Sequence, residues 1–159
     1  MTKATIAADA KRAAKAHRQL QRRIEKKDRG AKKESKRAMQ AGARLYPAPP
    51  FPRQHLSKPG HESAVNPPPL YDAPFYKGSD KLKNRIAVIT GADSGIGRAV
   101  AVLFAREGAD IVAIYLNEAA DAEITCAAVE KEGQRCLLIS GDVSRRAFCE
   151  SAVERTLKA

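Results

Sequence analysis

Cysteine and histidine are scarce in this chain of 159 residues, and neither is clustered. Cys126, Cys136 and Cys149 are odd in number and lack C-x-x-C spacing, which argues against a disulfide framework or a zinc ribbon and predicts reduced, structural thiols. His17, His55 and His61 are scattered and share no local cluster with cysteine or carboxylates, so no metal site is expected. No run of about 18 apolar residues occurs, which excludes a hydrophobic helical span. The N-terminus has no apolar signal core, and Asp9, Glu25, Asp28 and Glu34 make it more acidic than an organellar presequence usually is. The expected location is the cytoplasm.

Charge of one sign is also missing, but only from part of the chain. Residues 45–159 carry 14 Lys/Arg and 14 Asp/Glu, whereas residues 1–44 carry 15 against 4, so the net charge of +11 belongs wholly to the N-terminal segment. That segment is rich in Ala, Lys, Arg and Gln and has high helix propensity. Its apolar face is thin, with Leu20 and Ile24 backed by Ala13 and Ala16, and Gly30 interrupts it. It reads as a solvated helical or disordered tail. Every proline of the chain lies between Pro47 and Pro74, which rules out a long helix or a central strand there. Tyr46, Phe51, Tyr71, Phe75 and Tyr76 are interleaved, as in an extended arm that lays its rings on a folded surface. A linker, or a polyproline segment at 67–69 docking a recognition module, are the other readings. The expected organisation is a basic tail (1–44), a proline-rich arm (45–80) and a folded part (81–159).

From Lys81 the pattern turns regular. Residues 86–90, 111–115 and 136–139 are short, almost continuously apolar runs, separated by amphipathic stretches at 95–107, 119–131 and 144–157. The inward positions expected are Ile96, Val100, Leu103 and Phe104 in the first helix, Ala122, Cys126 and Val129 in the second, and Phe148, Ala152 and Leu157 in the third. Ser144 is expected to cap the third helix, and Gly108 and Gly133 to close the first two. Alternating strands and helices at this spacing predict an α/β fold, a Rossmann-type parallel sheet with crossover helices and both faces covered.

Between the first strand and its helix lies Thr90-Gly91-Ala92-Asp93-Ser94-Gly95-Ile96-Gly97, a G-x-x-x-G-x-G loop. Gly91 is expected to let the chain leave the strand in a tight turn. Gly95 removes a Cβ where a diphosphate approaches backbone, and Gly97 lets the helix start pack closely. The N–H groups of the first helical turn would then face phosphate oxygens, with Arg98 adding charge from the same turn. No Gly-Lys-Ser/Thr follows, which disfavours nucleoside triphosphate hydrolysis. The candidate binding residues are Gly91, Asp93, Ser94, Gly95, Ile96 and Gly97 in the loop, Tyr115 and Asn117 after the second strand, and Asp142 and Val143 after the third. Asp142 would accept from an adenine amino group or, alternatively, simply cap the next helix. The position after strand two carries neither the carboxylate that favours NAD nor the cation that favours NADP, so the coenzyme is NAD or NADP.

Thr90-Gly91-x-x-x-Gly95-Ile96-Gly97 with Asp142-Val143 resembles the short-chain dehydrogenase/reductase family. Tyr76-Lys77-Gly78-Ser79-x-Lys81-Leu82, Cys136-Leu137-Leu138-Ile139-x-Gly141-Asp142 and Lys58-Pro59-Gly60-His61-Glu62 are similar to its glucose/ribitol dehydrogenase-like, general stress oxidoreductase group. The resemblance covers about residues 55–159. It implies a larger parallel sheet, homo-oligomers, and hydride transfer between NAD(P) and an alcohol or carbonyl. It also implies a Tyr-x-x-x-Lys pair with a Ser and an Asn as the catalytic group. Residues four places after Tyr46, Tyr71, Tyr76 and Tyr115 are Pro50, Phe75, Asp80 and Ala119, so no such pair exists here and no catalytic residue is assigned. The expectation is therefore the N-terminal portion of such an enzyme, truncated after the third strand–helix unit, leaving an open edge at the first strand and lacking dehydrogenase activity by itself. The alternative is a non-enzymatic protein whose basic tail binds nucleic acid or an acidic surface.

Overall fold

The computed structural model describes residues 3–28, 47, 49–56 and 60–159. Helix α1 spans Lys3–Asp28, followed much later by a 3-10 turn at Glu62–Ala64. Then come β1 (Ile86–Thr90), α2 (Gly95–Arg106), β2 (Asp110–Tyr115), α3 (Ala119–Lys131), β3 (Cys136–Ser140) and α4 (Arg146–Lys158). The chain divides into two compact units, one of Met1–Ala14 with Tyr71–Ala159 and one of Lys15–Leu70. Of the sequence element Lys58–Glu62, Lys58 and Pro59 lie outside the described residues, as do all of 29–46. In the second unit the Gln54 amide donates to the Asn66 carbonyl (2.8 Å) and accepts from its N–H (2.9 Å), which satisfies the backbone of a segment that its prolines keep out of regular structure.

In the first unit, the three strands among the described residues form one parallel sheet in the order β1-β2-β3. Parallel neighbours need a crossover, and α2 and α3 supply it. Because side chains alternate along a strand, β2 feeds two cores. Ile111 and Ala113 pack with Ala101 and Ala105 of α2 and Val129 of α3, and Val112 and Ile114 pack with Ile139, Phe148 and Ala152, with Ile6 beside them. Burying Ile111 and Ile139 fully contributes about 1.5–3 kcal/mol each. The expected two-sided cover holds for β2 but not for β1. Ala87 and Ile89 face the first core, whereas Ile86 and Val88 are about half exposed.

The packed faces differ in part from those expected. In α2 the buried residues are Arg98, Ala101, Val102 and Ala105, while Ile96 is 85% exposed and Phe104 is also exposed. Small side chains let the helix axis approach the sheet, so the alanines rather than the large apolar groups line the contact. In α3 the buried set is Ala122, Thr125 and Val129, with Cys126 only partly covered. In α4 Phe148 and Ala152 are buried but Leu157 is not. Helix α4 starts at Arg146, with Arg145 rather than Ser144 in the cap position. Asp142 Oδ1 accepts from the Ser144 N–H (2.9 Å) and holds that residue in a turn before the helix.

Residues 71–85 lead into β1 and are fastened to the far end of α2. Glu107, buried, accepts from Ser79 N–H (2.9 Å), Lys81 N–H (3.0 Å), Lys81 Nζ (2.8 Å) and the Tyr76 hydroxyl. The Lys81 ammonium foremost, then the Tyr76 hydroxyl and the two amides, hold the Glu107 carboxyl far below the usual carboxylate range. Next to it, Arg106 forms a two-pronged pair with Glu132 (3.0 and 2.6 Å) and donates to the Ala73 carbonyl (2.7 Å).

Candidate functional site

The three stretches singled out in the sequence all follow the C-terminal ends of parallel strands. Thr90 is in register with Ile114, and Tyr115 with Ser140. The loop 91–97, the Tyr115–Asn117 turn and Asp142–Val143 therefore emerge at one end of the sheet, where ligands of open α/β sheets bind. Backbone bonds keep the three exits level. Gly91 N–H and Ala92 N–H donate to the Ile114 carbonyl (2.8 and 3.2 Å), and Gly141 N–H donates to the Tyr115 carbonyl (2.9 Å). The Ser140 hydroxyl donates to the Leu116 carbonyl (3.0 Å).

The glycine loop needs its glycines for two separate reasons. Gly91 has φ +64° and Gly95 φ +54°, the left-handed region in which a side chain is strained. Gly97 is helical, but a Cβ there would lie 2.0 Å from the Gly91 carbonyl oxygen and 2.9 Å from Ala92 Cα. The start of α2 thus presses against the backbone of its own entry loop, and only hydrogen fits between. Ser94 occupies the cap position in an extended conformation, with no side-chain cap bond. Its hydroxyl donates to Asp93 Oδ2 (3.1 Å). The helix geometry leaves the N–H groups of Ile96 and Gly97 without intrahelical acceptors, at the positive end of the helix dipole. Ile96 projects into solvent at the loop mouth.

Arg98 does not join the loop mouth, contrary to the sequence expectation. It is 4% exposed. Its Nη2 donates to the carbonyls of Asp93 (2.7 Å) and Asp121 (3.2 Å), its Nε donates to the Thr125 hydroxyl (3.0 Å), and Asp121 Oδ1 lies 3.7 Å away. The Tyr71 ring covers the guanidinium at 5.1 Å. A buried charge must be paired, and here α3 and the segment before β1 supply the partners. Thr125 does not stand out in the sequence, being a polar residue on an amphipathic helix, whereas Tyr71 is one of the rings expected to lie on a folded surface, with no partner indicated.

After β2, Tyr115 and Asn117 are partly buried, and the Asn117 N–H donates to Glu118 Oε2 (3.3 Å). After β3, Val143 is half exposed and its carbonyl accepts from the Cys149 thiol (3.3 Å), while Asp142 is partly buried. One Asp142 oxygen serves the Ser144 turn ahead of α4, and the helix itself has no side-chain cap bond. Burial raises the Cys126 and Cys136 thiols above their ordinary value, Cys136 the more strongly. No helix among the described residues is long and apolar enough to cross a membrane.

Residues 85–159 match the family model described as short chain dehydrogenase. General stress protein 39 of Bacillus subtilis (strain 168) is 56% identical over 109 residues, 68% of this chain and 38% of that protein. Glucose and ribitol dehydrogenase of Daucus carota is 32% identical over 114 residues, 68% of this chain and 39% of that protein. Among solved structures, carveol dehydrogenase from Mycobacterium avium in complex with NAD is matched over 50% of this chain and 33% of that one, at 28% identity and a TM-score of 0.48. Residues 85–159 belong to the short-chain dehydrogenase family, and the chain spans under two fifths of the length of these two curated relatives.

Proposed function

We propose that residues 85–159 are the dinucleotide-binding portion of an NAD- or NADP-dependent oxidoreductase acting on an alcohol or carbonyl. The observation that carries this reading is the glycine loop. Its Gly97 contact leaves no room for a Cβ, its Gly91 and Gly95 are left-handed, and it stands at the strand ends beside Tyr115–Asn117 and Asp142–Val143. A pyrophosphate suits such a loop because backbone N–H groups donate to it and no side chain intervenes.

In this reading the amides at the start of α2 hold the pyrophosphate. Tyr115 and Asn117 hydrogen-bond the adenosine ribose, and Asp142 and Val143 take the adenine edge and face. The nicotinamide of the bound coenzyme supplies a hydride acceptor or donor. The residues of this chain bind and orient; Arg98, turned inward, leaves anion recognition to the backbone. The family places proton transfer on a Tyr-x-x-x-Lys pair, a spacing this sequence does not contain. The same reading assigns the protein to the cytoplasm and to homo-oligomers.

Calorimetric titration of the folded 159-residue chain with NAD and with NADP tests the proposal. Binding of at least one, abolished by Gly97→Val, is expected. A chain shown to be folded by circular dichroism that binds neither would refute it.

A further inference from the structure

The Arg98 cluster reaches further than local stability. Asp93 sits in the middle of the glycine loop, and its carbonyl is held by two donors from inside the protein, Arg98 Nη2 (2.7 Å) and the Thr125 hydroxyl (3.0 Å). A trans peptide is planar, so its carbonyl and the next residue's N–H point in opposite directions. Fixing the Asp93 carbonyl towards α3 fixes the Ser94 N–H away from α3. The peptide joining Asp93 to Ser94 is therefore oriented by side chains on α2 and α3.

We propose that Arg98 and Thr125 are positioning residues of the dinucleotide site, a buried guanidinium–hydroxyl clamp that sets the Asp93–Ser94 peptide and with it the donors of the glycine loop. The inference rests on the dinucleotide reading. Three features support a positioning role over a filler role. First, Arg98 lies on the buried stripe of α2 with Ala101, Val102 and Ala105, where an apolar residue would pack without any charge to compensate. Second, Thr125 links both sides of the clamp: it accepts from Arg98 Nε (3.0 Å), and its hydroxyl lies within reach of the carbonyls of Asp93 (3.0 Å) and Asp121 (3.3 Å). Third, the guanidinium is closed off from outside by the Tyr71 ring, which excludes water from the bonds that orient the loop.

The test uses the full chain and four variants: Thr125→Val, which keeps shape and removes the hydroxyl, Thr125→Ser, Arg98→Lys, and Val129→Ala as a control that loosens the core one turn further along α3. Dissociation constants for NAD and NADP are measured by calorimetry under conditions where circular dichroism shows each variant folded. Amide hydrogen exchange at Ser94–Gly97 is followed without coenzyme. Thr125→Val and Arg98→Lys are expected to weaken binding by about ten-fold or more and to speed exchange at the loop, as loss of a charge-assisted buried bond implies. Thr125→Ser is expected to restore both, and Val129→Ala to lower stability while leaving affinity and loop exchange as in the parent.

Parent-like affinity and exchange in Thr125→Val would overturn the clamp, as would an equal loss of affinity in Val129→Ala. If Thr125→Val does not fold, Arg98→Lys decides by the same two readouts. If the folded parent binds neither coenzyme, the dinucleotide reading fails separately, and unchanged loop exchange in the variants would then overturn the clamp on its own.

Discussion

In an ordinary helical position alanine is more stable than glycine by about 0.5–1 kcal/mol, because it restricts the unfolded chain and favours the helix. Gly97 reverses that expectation. An added Cβ would stand 2.0 Å from the Gly91 oxygen, 2.7 Å from its carbon and 2.9 Å from Ala92 Cα, all backbone atoms that cannot swing aside as a side chain would. Relieving such a contact moves the loop or the first turn of α2, at a cost of about 1–3 kcal/mol or more. Gly97→Ala is therefore expected to destabilise the fold by a net amount of about 1–2 kcal/mol, a fall in melting temperature of roughly 4–16 °C for a domain of this size. Gly91→Ala provides the comparison. Its Cβ meets nothing within 4 Å, but φ is +64°, so the strain of about 1–2 kcal/mol is offset by roughly 0.4–1 kcal/mol from the stiffer unfolded chain. A net loss of about 0.5–1 kcal/mol is expected there. Urea denaturation monitored by circular dichroism gives both values, and calorimetry gives coenzyme affinity. Gly97→Ala is expected to lose about ten-fold or more in affinity, because the displaced atoms are those that shape the loop. A Gly97→Ala protein more stable than its parent, or one that binds coenzyme equally well, would refute the close-contact reasoning.

Glu107 sets an acid limit. Its carboxyl is held below its ordinary value of 4.5, so the stability it contributes is complete above that pH and is lost progressively as pH falls towards the lowered value; Glu107→Gln is expected to flatten the dependence of denaturation midpoint on pH below about pH 5. Phe148, 3% exposed, fills the core between β2, β3 and α4, and Phe148→Ala is expected to cost about 3–5 kcal/mol in a denaturant titration. Thiol titration with a disulfide reagent is expected to label exposed Cys149 first, with Cys126 and Cys136 slow until the protein is unfolded.

The repeating elements of residues 85–159 are legible in the sequence because each strand is a short apolar run and both α2 and α3 end near a glycine. The strands at Ile86–Thr90, Asp110–Tyr115 and Cys136–Ser140 depart from the expected limits by one residue at most. Which side of each helix faces inward is less legible. Counting large apolar residues favours Ile96 and Phe104, yet the contact is made by Ala101 and Ala105, whose small side chains permit close approach, and by Arg98, whose charge disguises its burial. Leu157 is misplaced because apolar character outweighs helical position in that reading: nine residues after Phe148, it stands about half a turn round the helix from the buried side, and no core lies beneath it. The candidate loop follows the end of β1 as its spacing predicts, because a glycine turn is a local signal. The partners that anchor the two ends of α2 are not legible, since Arg98 meets Thr125 27 positions away and Tyr76 meets Glu107 31 away, separations no local pattern encodes.

These long-range partners give α2 two anchored ends with different chemistry. At its start, the Asp93 carbonyl of the loop is turned inward to Arg98 and Thr125. At its finish, Glu107 gathers donors from Tyr76, Ser79 and Lys81, and Arg106 grips the Ala73 carbonyl and Glu132. A carboxylate just beyond a helix C-terminus is unfavourable for the helix dipole, so Glu107 is retained for the segment it fastens rather than for the helix it follows. That segment, residues 71–82, also carries Tyr71 to the Arg98 guanidinium at the other end. The aromatic, proline-flanked stretch before β1 is thus a strap along α2, touching the clasp at one end and the loop clamp at the other. Loosening the strap at Glu107 should therefore reach the glycine loop only if Tyr71 is displaced as well, which makes Tyr71→Leu the sharper perturbation of the loop and Glu107→Gln the sharper perturbation of acid stability.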